Sequence, residues 1–267
     1  MDVGASCIAE TPVYRKLLDA GIGRLTAFDG DPRQVAKIKE AYGELATVHG
    51  CFVGDGDTHE LYLASPGSGM TSLLRPSPRN LAFFNGFTKF GHVLRRETVE
   101  TRRLDDLPGI PPVDFLKMDA QGAELMVMQH GTRTLAGCVA VQLEVSFVPL
   151  YEGQPCFGEV DVWMRAQGYA PHCFAHLKKW SIAPTIRDGN FRIPFNQLLE
   201  ADVVYVRHLL EPEKLSDLQL KKLALLADAC FGSPDLCIHL LRESVRRGMH
   251  EAAATHLYLG HCGKWVL

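Results

Sequence analysis

At 267 residues, 46% of them hydrophobic and 22% charged, the chain has the composition of an ordinary globular protein and the length for one large domain or one domain with an appendage. A formal net charge of −3 gives no global pull toward nucleic acid or an anionic membrane, and no apolar run approaches the ~20 residues of a membrane span. The eight cysteines show no Cys-x-x-Cys pair and no zinc spacing, and the first residues show no basic-then-apolar leader. They read as buried thiols of a reducing compartment, so a cytoplasmic protein is expected.

In chain order, residues 1–5 (Met-Asp-Val-Gly-Ala) read as the end of a strand with Asp2 at its tip, far shorter than the usual ~5–6 residues. Thr11-Pro12 is a cap-and-first-turn pattern and predicts a helix to about Asp19. Residues 24–28 form a second strand tipped by Asp29-Gly-Asp31, and Pro32 opens a helix to about Tyr42. A third strand is expected over 46–53, followed by Gly54-Asp55-Gly56-Asp57. Added strands over 59–64 and 97–103 flank a Gly/Ser-rich loop at 65–72.

Residues 113–124, Val-Asp-Phe-Leu-Lys-Met-Asp-Ala-Gln-Gly-Ala-Glu, are the centre of the chain. A short apolar run stops at Asp119, Gln121-Gly122 make a tight exit, and an apolar segment over 123–135 has helical length. Lys117 lies on the same strand face as Asp119, about 6–7 Å away along it, and a buried lysine needs a partner. Another strand, 139–145, carries Glu144 at its tip. A helix over 157–167 ends before Gly168, and 169–174 and 202–207 read as closing strands around an irregular excursion, 175–200. From 211 on, apolar residues at helical spacing (Leu220, Leu223, Ala227, then Leu236, Leu240 and Leu241) predict a helical extension. The expected division is a domain over 1–210 and an extension over 211–267.

Alternating strands and helices imply a doubly wound, mostly parallel α/β sheet. The right-handed crossover rule then places Asp2, Asp29, Asp55, Asp119 and Glu144 along one edge, outside the carboxyl ends of the strands, where such sheets bind ligands. The turn after the first strand has one glycine, Gly4, not the Gly-x-Gly-x-x-Gly of a dinucleotide site, and a row of acids repels phosphate. A cationic, phosphate-free nucleoside fits better. S-adenosylmethionine has an ammonium for Asp2, ribose hydroxyls for Asp29 and an adenine amino group for Asp55.

Four stretches carry a family resemblance: Asp2-Val3-Gly4-Ala5; the approach to Arg103-Leu104-Asp105-Asp106; Phe115-Leu116-Lys117-Met118-Asp119-Ala120-Gln121-Gly122-Ala123-Glu124; and the run from Leu143-Glu144-Val145-Ser146-Phe147 to Leu150-Tyr151-Glu152-Gly153. Over about residues 1–207 the chain resembles the FkbM family of S-adenosylmethionine-dependent methyltransferases. The resemblance implies a class I (Rossmann-like) seven-stranded sheet with its last strand antiparallel, and transfer usually to oxygen. The expected acceptor is a sugar, glycan or natural product, with no nucleic acid partner. It implies cofactor contacts from Asp2, Gly4, Ala5, Asp29, Asp55 and Asp119. The chain departs from the family in its short first strand, in Asp29-Gly-Asp31-Pro32 where Glu-Pro-x-Pro is expected, and in Gln121 where glutamate is frequent.

An alcohol acceptor must lose a proton, which calls for a general base. Asp119 and, second, Glu144 with Ser146 are the candidates, and Lys117 is counted with them among the catalytic residues; a lysine beside Asp119 lowers its pKa and weakens it as a base, so that Asp119 could instead orient Lys117 or the acceptor. Gln121, Ser146 and Tyr151 are candidates for holding the acceptor. Arg95, Arg96, Arg102 and Arg103 are candidates for meeting an acidic one. No His and carboxylate spacing points to a metal. The extension could support an oligomer. The alternative reading is a methyltransferase fold that binds without turnover.

Overall fold

The computed structural model describes residues 1–5 and 11–263, the His261 side chain apart. Its strands and helices in chain order are β1 (Asp2–Val3), α1 (Arg15–Asp19), β2 (Leu25–Phe28), α2 (Pro32–Tyr42), β3 (Ala46–His49), β4 (Phe52–Val53), β5 (Thr58–Leu63), α3 (Pro78–Phe83), α4 (Phe87–Phe90) and β6 (Arg95–Arg102). There follow β7 (Phe115–Met118), α5 (Glu124–Gln129), β8 (Ala140–Ser146), α6 (Phe157–Ala166), β9 (Tyr169–Lys179), β10 (Leu198–Arg207), α7 (Asp217–Ala229), α8 (Pro234–Arg246) and α9 (Ala254–Cys262).

Seven strands form the main sheet in the order β3-β2-β1-β7-β8-β10-β9. The first five run parallel, and β10 enters antiparallel between β8 and β9. Because side chains alternate along a strand, each strand feeds two cores. Val3, Phe28, Met118 and Leu143 face α5 and α6, where they pack with Val127, Met128, Val160 and Met164. Ala27, Phe115, Ala140, Val204 and Val206 face the other way, against α1, α2, α7 and α8. A second sheet, β4-β6-β5, stands apart from the first.

Four expectations change. The segment 46–53 is two strands: β3 pairs with β2 in the main sheet, while β4 pairs with β6 in the small one. Asp55 therefore follows a strand of the small sheet, and the third tip of the main sheet is at His49. The first helix opens at Arg15, because a turn closed by Arg15 N–H on the Pro12 carbonyl (2.9 Å) swings Tyr14 inward to Asp2. The helix after Asp119 is one and a half turns long, not the length of 123–135; turns closed by Gly131 and Cys138 carry the chain on from it. The closing strands also run deep into the supposed excursion, with Lys178 opposite Glu200.

The C-terminal helices complete the main core. Ser216 and Gln219 cap α7 reciprocally, at 2.9 and 3.2 Å, as the Ser-x-x-Gln spacing allows. Leu220, Leu223, Ala227, Leu236 and Leu240 are then buried against Phe115, Val204 and Val206. Each buried leucine contributes about 1.5–3 kcal/mol by leaving water. Leu218 and Leu257 of the same segment stay exposed. No helix among the described residues is long and apolar enough to cross a membrane.

Candidate active site

The register of the sheet builds the site. Asp2 lies beside Lys117, Lys117 beside Gln142, and Gln142 beside Val204. One residue farther, Val3, Met118 and Leu143 are level, so the next row up contains Gly4, Asp119 and Glu144, with Asp202 opposite Glu144. By the period of two, Asp2, Lys117, Asp119, Gln142, Glu144 and Asp202 all belong to the sheet face that carries Ala27 and Phe115. Four carboxylates and one ammonium thus converge at the carboxyl edge of one face.

Polar atoms there are buried, and the hydrogen bonds decide which are spoken for. Tyr14 Oη donates to Asp2 Oδ2, a very short bond. Asp2 Oδ1 and Gln142 Oε1, on either side of Lys117, are buried without a hydrogen-bond partner among the described residues. Burial pushes the Asp2 carboxyl up, against the pull of Lys117 and Tyr14. Burial acts on Lys117 in the opposite sense, but Asp2, Asp119, Asp202 and Glu144 together hold its ammonium above the ordinary lysine value. The lysine is the counter-charge buried among these carboxylates.

Gly4 makes the first turn possible. Its φ is +74°, and a Cβ there would sit 1.9 Å from the Asp119 carbonyl oxygen. Gly4 N–H and Ala5 N–H both donate to Phe28 O, at 3.0 and 3.2 Å, closing the turn over the tip of β2. Residues 6–10 lie outside the described residues.

Asp29 and Asp31 divide their work. Asp29 Oδ1 accepts from Asp31 N–H at 2.7 Å, and burial pushes the Asp29 carboxyl up. Asp31 caps α2 through Arg33 N–H (2.8 Å) and pairs with the Arg33 guanidinium at 2.6 Å, which holds its carboxyl down. Asp29 is the one with an oxygen to offer. Asp55 is a turn acid. Its Oδ1 meets His59 Nε2 at 2.8 Å, Asp57 N–H at 2.9 Å and Thr101 Oγ1 at 3.2 Å. Although burial raises it, these contacts bring its carboxyl down to about 2.

Gln121 ties the centre to its surroundings. It is a non-glycine residue at φ +49°, a conformation that needs external support. Its Nε2 donates to Asp119 Oδ1 at 2.6 Å, its Oε1 accepts from Tyr151 Oη at 3.1 Å, and its carbonyl accepts from Ser72 Oγ at 2.7 Å. An ionised glutamate could not donate to Asp119; the amide can. Ser146, expected at the acceptor, is instead a brace: Gln154 Nε2 donates to its hydroxyl at 2.7 Å, while Gln154 Oε1 accepts from Leu150 and Tyr151 N–H at 2.7 and 3.2 Å. Ser146 therefore acts through Tyr151.

Glu144 is raised well above the ordinary glutamate value, first by burial, then by Glu200, Asp119 and Glu124. Lys178, ion-paired with Glu200, relieves part of this. Glu124 is buried below the exit turn; its Oε1 accepts from Ala120 and Gly122 N–H at 2.8 and 3.2 Å, yet burial still pushes it to about 7. Lys178, Glu200, Asp202, Gln142, Tyr14 and Gln154 are participants that sequence reasoning missed. For Lys178 and Glu200 the signal was the antiparallel pairing of two long final strands. For Asp202 it was an acid in an otherwise apolar strand. Among the described residues, no group of three His, Cys, Asp or Glu side chains is arranged to hold a metal ion.

A seven-stranded sheet of this order, with an antiparallel strand inserted beside its edge and carboxylates at the strand tips, defines a class I methyltransferase fold. The chain belongs to the FkbM family of S-adenosylmethionine-dependent methyltransferases: the family model described as "Methyltransferase FkbM domain" matches residues 2–171. A curated relative, the 2-O-methyltransferase NoeI of Sinorhizobium fredii (strain NBRC 101917 / NGR234), is 30% identical over 142 residues, 49% of this chain. The chain spans 57% of that relative's length. Two solved structures of Sp1610 from Streptococcus pneumoniae, whose assignment as a tRNA (m1A22) methyltransferase is provisional, superpose with TM-scores of 0.36 and 0.38 at 13% and 11% identity. They cover 89% and 93% of this chain and 80% and 91% of their own, and the second holds S-adenosyl-L-methionine. Superpositions this loose assign no residue.

Proposed function

We propose that the chain is an S-adenosylmethionine-dependent O-methyltransferase acting on a hydroxyl of a sugar, glycan or natural product. The observation that carries this is the buried Oδ1 of Asp2, without a partner among the described residues, beside the glycine turn at Gly4. A buried carboxylate oxygen without a donor is costly, and an ammonium from a ligand satisfies it. When bound, the cofactor supplies an electrophilic methyl group on a sulfonium. The protein's own residues do the rest. Asp2 accepts from the ligand's ammonium, and Gly4 and Ala5 let the main chain approach. Asp29 accepts from the ribose hydroxyls; Asp55, held by His59 and Thr101, stabilises its turn and is not assigned to adenine.

Proton removal falls to Glu144, whose raised pKa suits it to accept a proton, with Asp119 held in place by Gln121 to orient the acceptor. Lys117 is the counter-charge of the cluster, and Tyr151 lines the acceptor side through its bond to Gln121. Support for oxygen as the acceptor atom comes from the base at the strand tip and from the similarity to a 2-O-methyltransferase.

Calorimetric titration with S-adenosylmethionine and S-adenosylhomocysteine, with NAD as control, tests the cofactor site. Asp2→Asn and Asp29→Asn should each weaken binding by about tenfold or more, the scale of one charge-assisted hydrogen bond. His59→Gln should leave it near wild type. Equal affinities across the three variants would remove the strand tips from the site.

A further inference from the structure

Beside this centre lies a cleft of about 260 Å³ between the small sheet and α3 and α4. Its lining carries two guanidiniums, Arg75 and Arg96, with His92, Tyr62 and Thr88 as polar neighbours and Pro76 among the apolar walls. Among the described residues no aspartate or glutamate lines it. The nearest acids lie outside and hold the arginines loosely. Glu152 is 3.9 Å from Arg75 and Glu60 is 3.8 Å from Arg96, with all four side chains more than half exposed. Glu60 also accepts from Tyr62 Oη, at 2.9 Å. Long, exposed pairs of this kind are worth little, so both guanidiniums remain available to a better-placed anion.

The cleft shares its walls with the catalytic centre. Pro76 bridges to Tyr151, and Tyr62 pairs with Ser72. Tyr151 and Ser72 are the two residues that grip Gln121, which in turn holds Asp119. Arg75 follows Ser72 by three residues, so the two lie no more than about 10 Å apart. The cleft is therefore within about the length of a sugar residue or two of the segment that grips Gln121. The two places differ in charge. The centre is crowded with carboxylates and suits a neutral hydroxyl; the cleft is cationic and suits an anion.

We propose that this cleft is an anion subsite for the methyl acceptor, taking a carboxylate, sulfate or phosphate on the sugar whose hydroxyl is methylated. The inference rests on the methyltransferase reading above and narrows its substrate to an acidic sugar. Arg96, stacked 5.3 Å over the Tyr62 ring, and Arg75, also in the lining, supply the contacts.

The test is saturation-transfer NMR and calorimetry on the whole chain saturated with S-adenosylhomocysteine, using glucuronate, glucose 6-sulfate and glucose 6-phosphate as probes and glucose as the neutral control. At least one anion should bind about tenfold more tightly than glucose. Arg75→Gln and Arg96→Gln should each remove about tenfold of that, with affinity for S-adenosylhomocysteine unchanged. Added salt should weaken the same anion in the wild-type protein, which needs no variant. The sulfate, phosphate and carboxylate arms separate the three anions. Glucose binding as well as every anion, or both arginine variants binding the anions as tightly as the wild-type protein does, overturns the subsite while leaving the cofactor reading intact. Arginine-dependent anion binding in a protein that does not bind S-adenosylhomocysteine supports the subsite and overturns the cofactor reading.

Discussion

Glu144 and Asp119 stand side by side on adjacent strands, but their surroundings give them different work. Glu144 holds its proton tightly because it is buried near Glu200 and Asp119, whereas Asp119 already accepts from Gln121. Glu144→Gln should therefore lower kcat by about 10²-fold or more and abolish the acidic limb of the pH–rate profile. Asp119→Asn should lower kcat while keeping that limb and leaving S-adenosylhomocysteine binding close to wild type. Profiles with the limb lost in Asp119→Asn instead would exchange the two roles.

Glu124 offers a stability test at the same scale. Its folded-state pKa of about 7 lies above the ordinary glutamate value of 4.5, so the folded protein holds a proton that the unfolded chain has released. The resulting stability is present below about pH 4.5 and is lost as pH rises to about 7, by up to about 3 kcal/mol. Glu124→Gln keeps an oxygen for Ala120 and Gly122 N–H and cannot ionise. Urea melts at pH 5 and pH 8 should show the wild-type protein losing stability across this window, and the variant losing less.

At the scale of elements, the C-terminal helices decide whether the chain has one core or two. Leu223 is fully buried within the cluster that contains Phe115 and Val204. Leu223→Ala should cost about 2–5 kcal/mol. Because α7 and the sheet share that cluster, calorimetry should show one transition moving as a whole. A second, separate transition moved by this substitution would mean that residues 211–263 fold as an independent unit. The helices themselves were legible from Leu220, Leu223 and Ala227, and from Leu236 and Leu240. Their destination was not. A stripe of leucines specifies that a face will be buried but not against what, and the matching surface is scattered over four strands far apart in sequence.

For the molecule as a whole, alternation of apolar runs and helix signals located the seven strands of the main sheet, with β3 run on into β4 and β9 and β10 cut short, and the motif around Asp119 gave its centre. Asp2, Asp29, Asp119 and Glu144 come to one edge as the crossover rule requires. Asp55 does not, because the run 46–53 is continuous in sequence but turns at Gly50 and Cys51 into another sheet. Periodicity cannot mark a change of partner. The same limit hid Lys178, Glu200 and Asp202, whose place depends on the pairing of β9 with β10 and of β10 with β8. The basic cleft draws its walls from segments 62–96, which sequence reading could only describe as a loop and loosely charged strands.

The position of β10 has a consequence for how the chain is made. It is the last strand in sequence but sits between β8 and β9. A ribosome therefore delivers β9 before the strand it must pair with. When residue 197 has emerged, β1, β2, β3, β7 and β8 can already stand together, while β9 has no sheet neighbour. Its eleven residues wait outside the nascent sheet until Leu198–Arg207 inserts and joins both sides at once. Lys178, carried on β9, reaches Glu200 and the neighbourhood of Glu144 by that same insertion. The acidic centre thus acquires its second lysine only when the sheet closes, so completion of the fold and completion of the charge balance are one event.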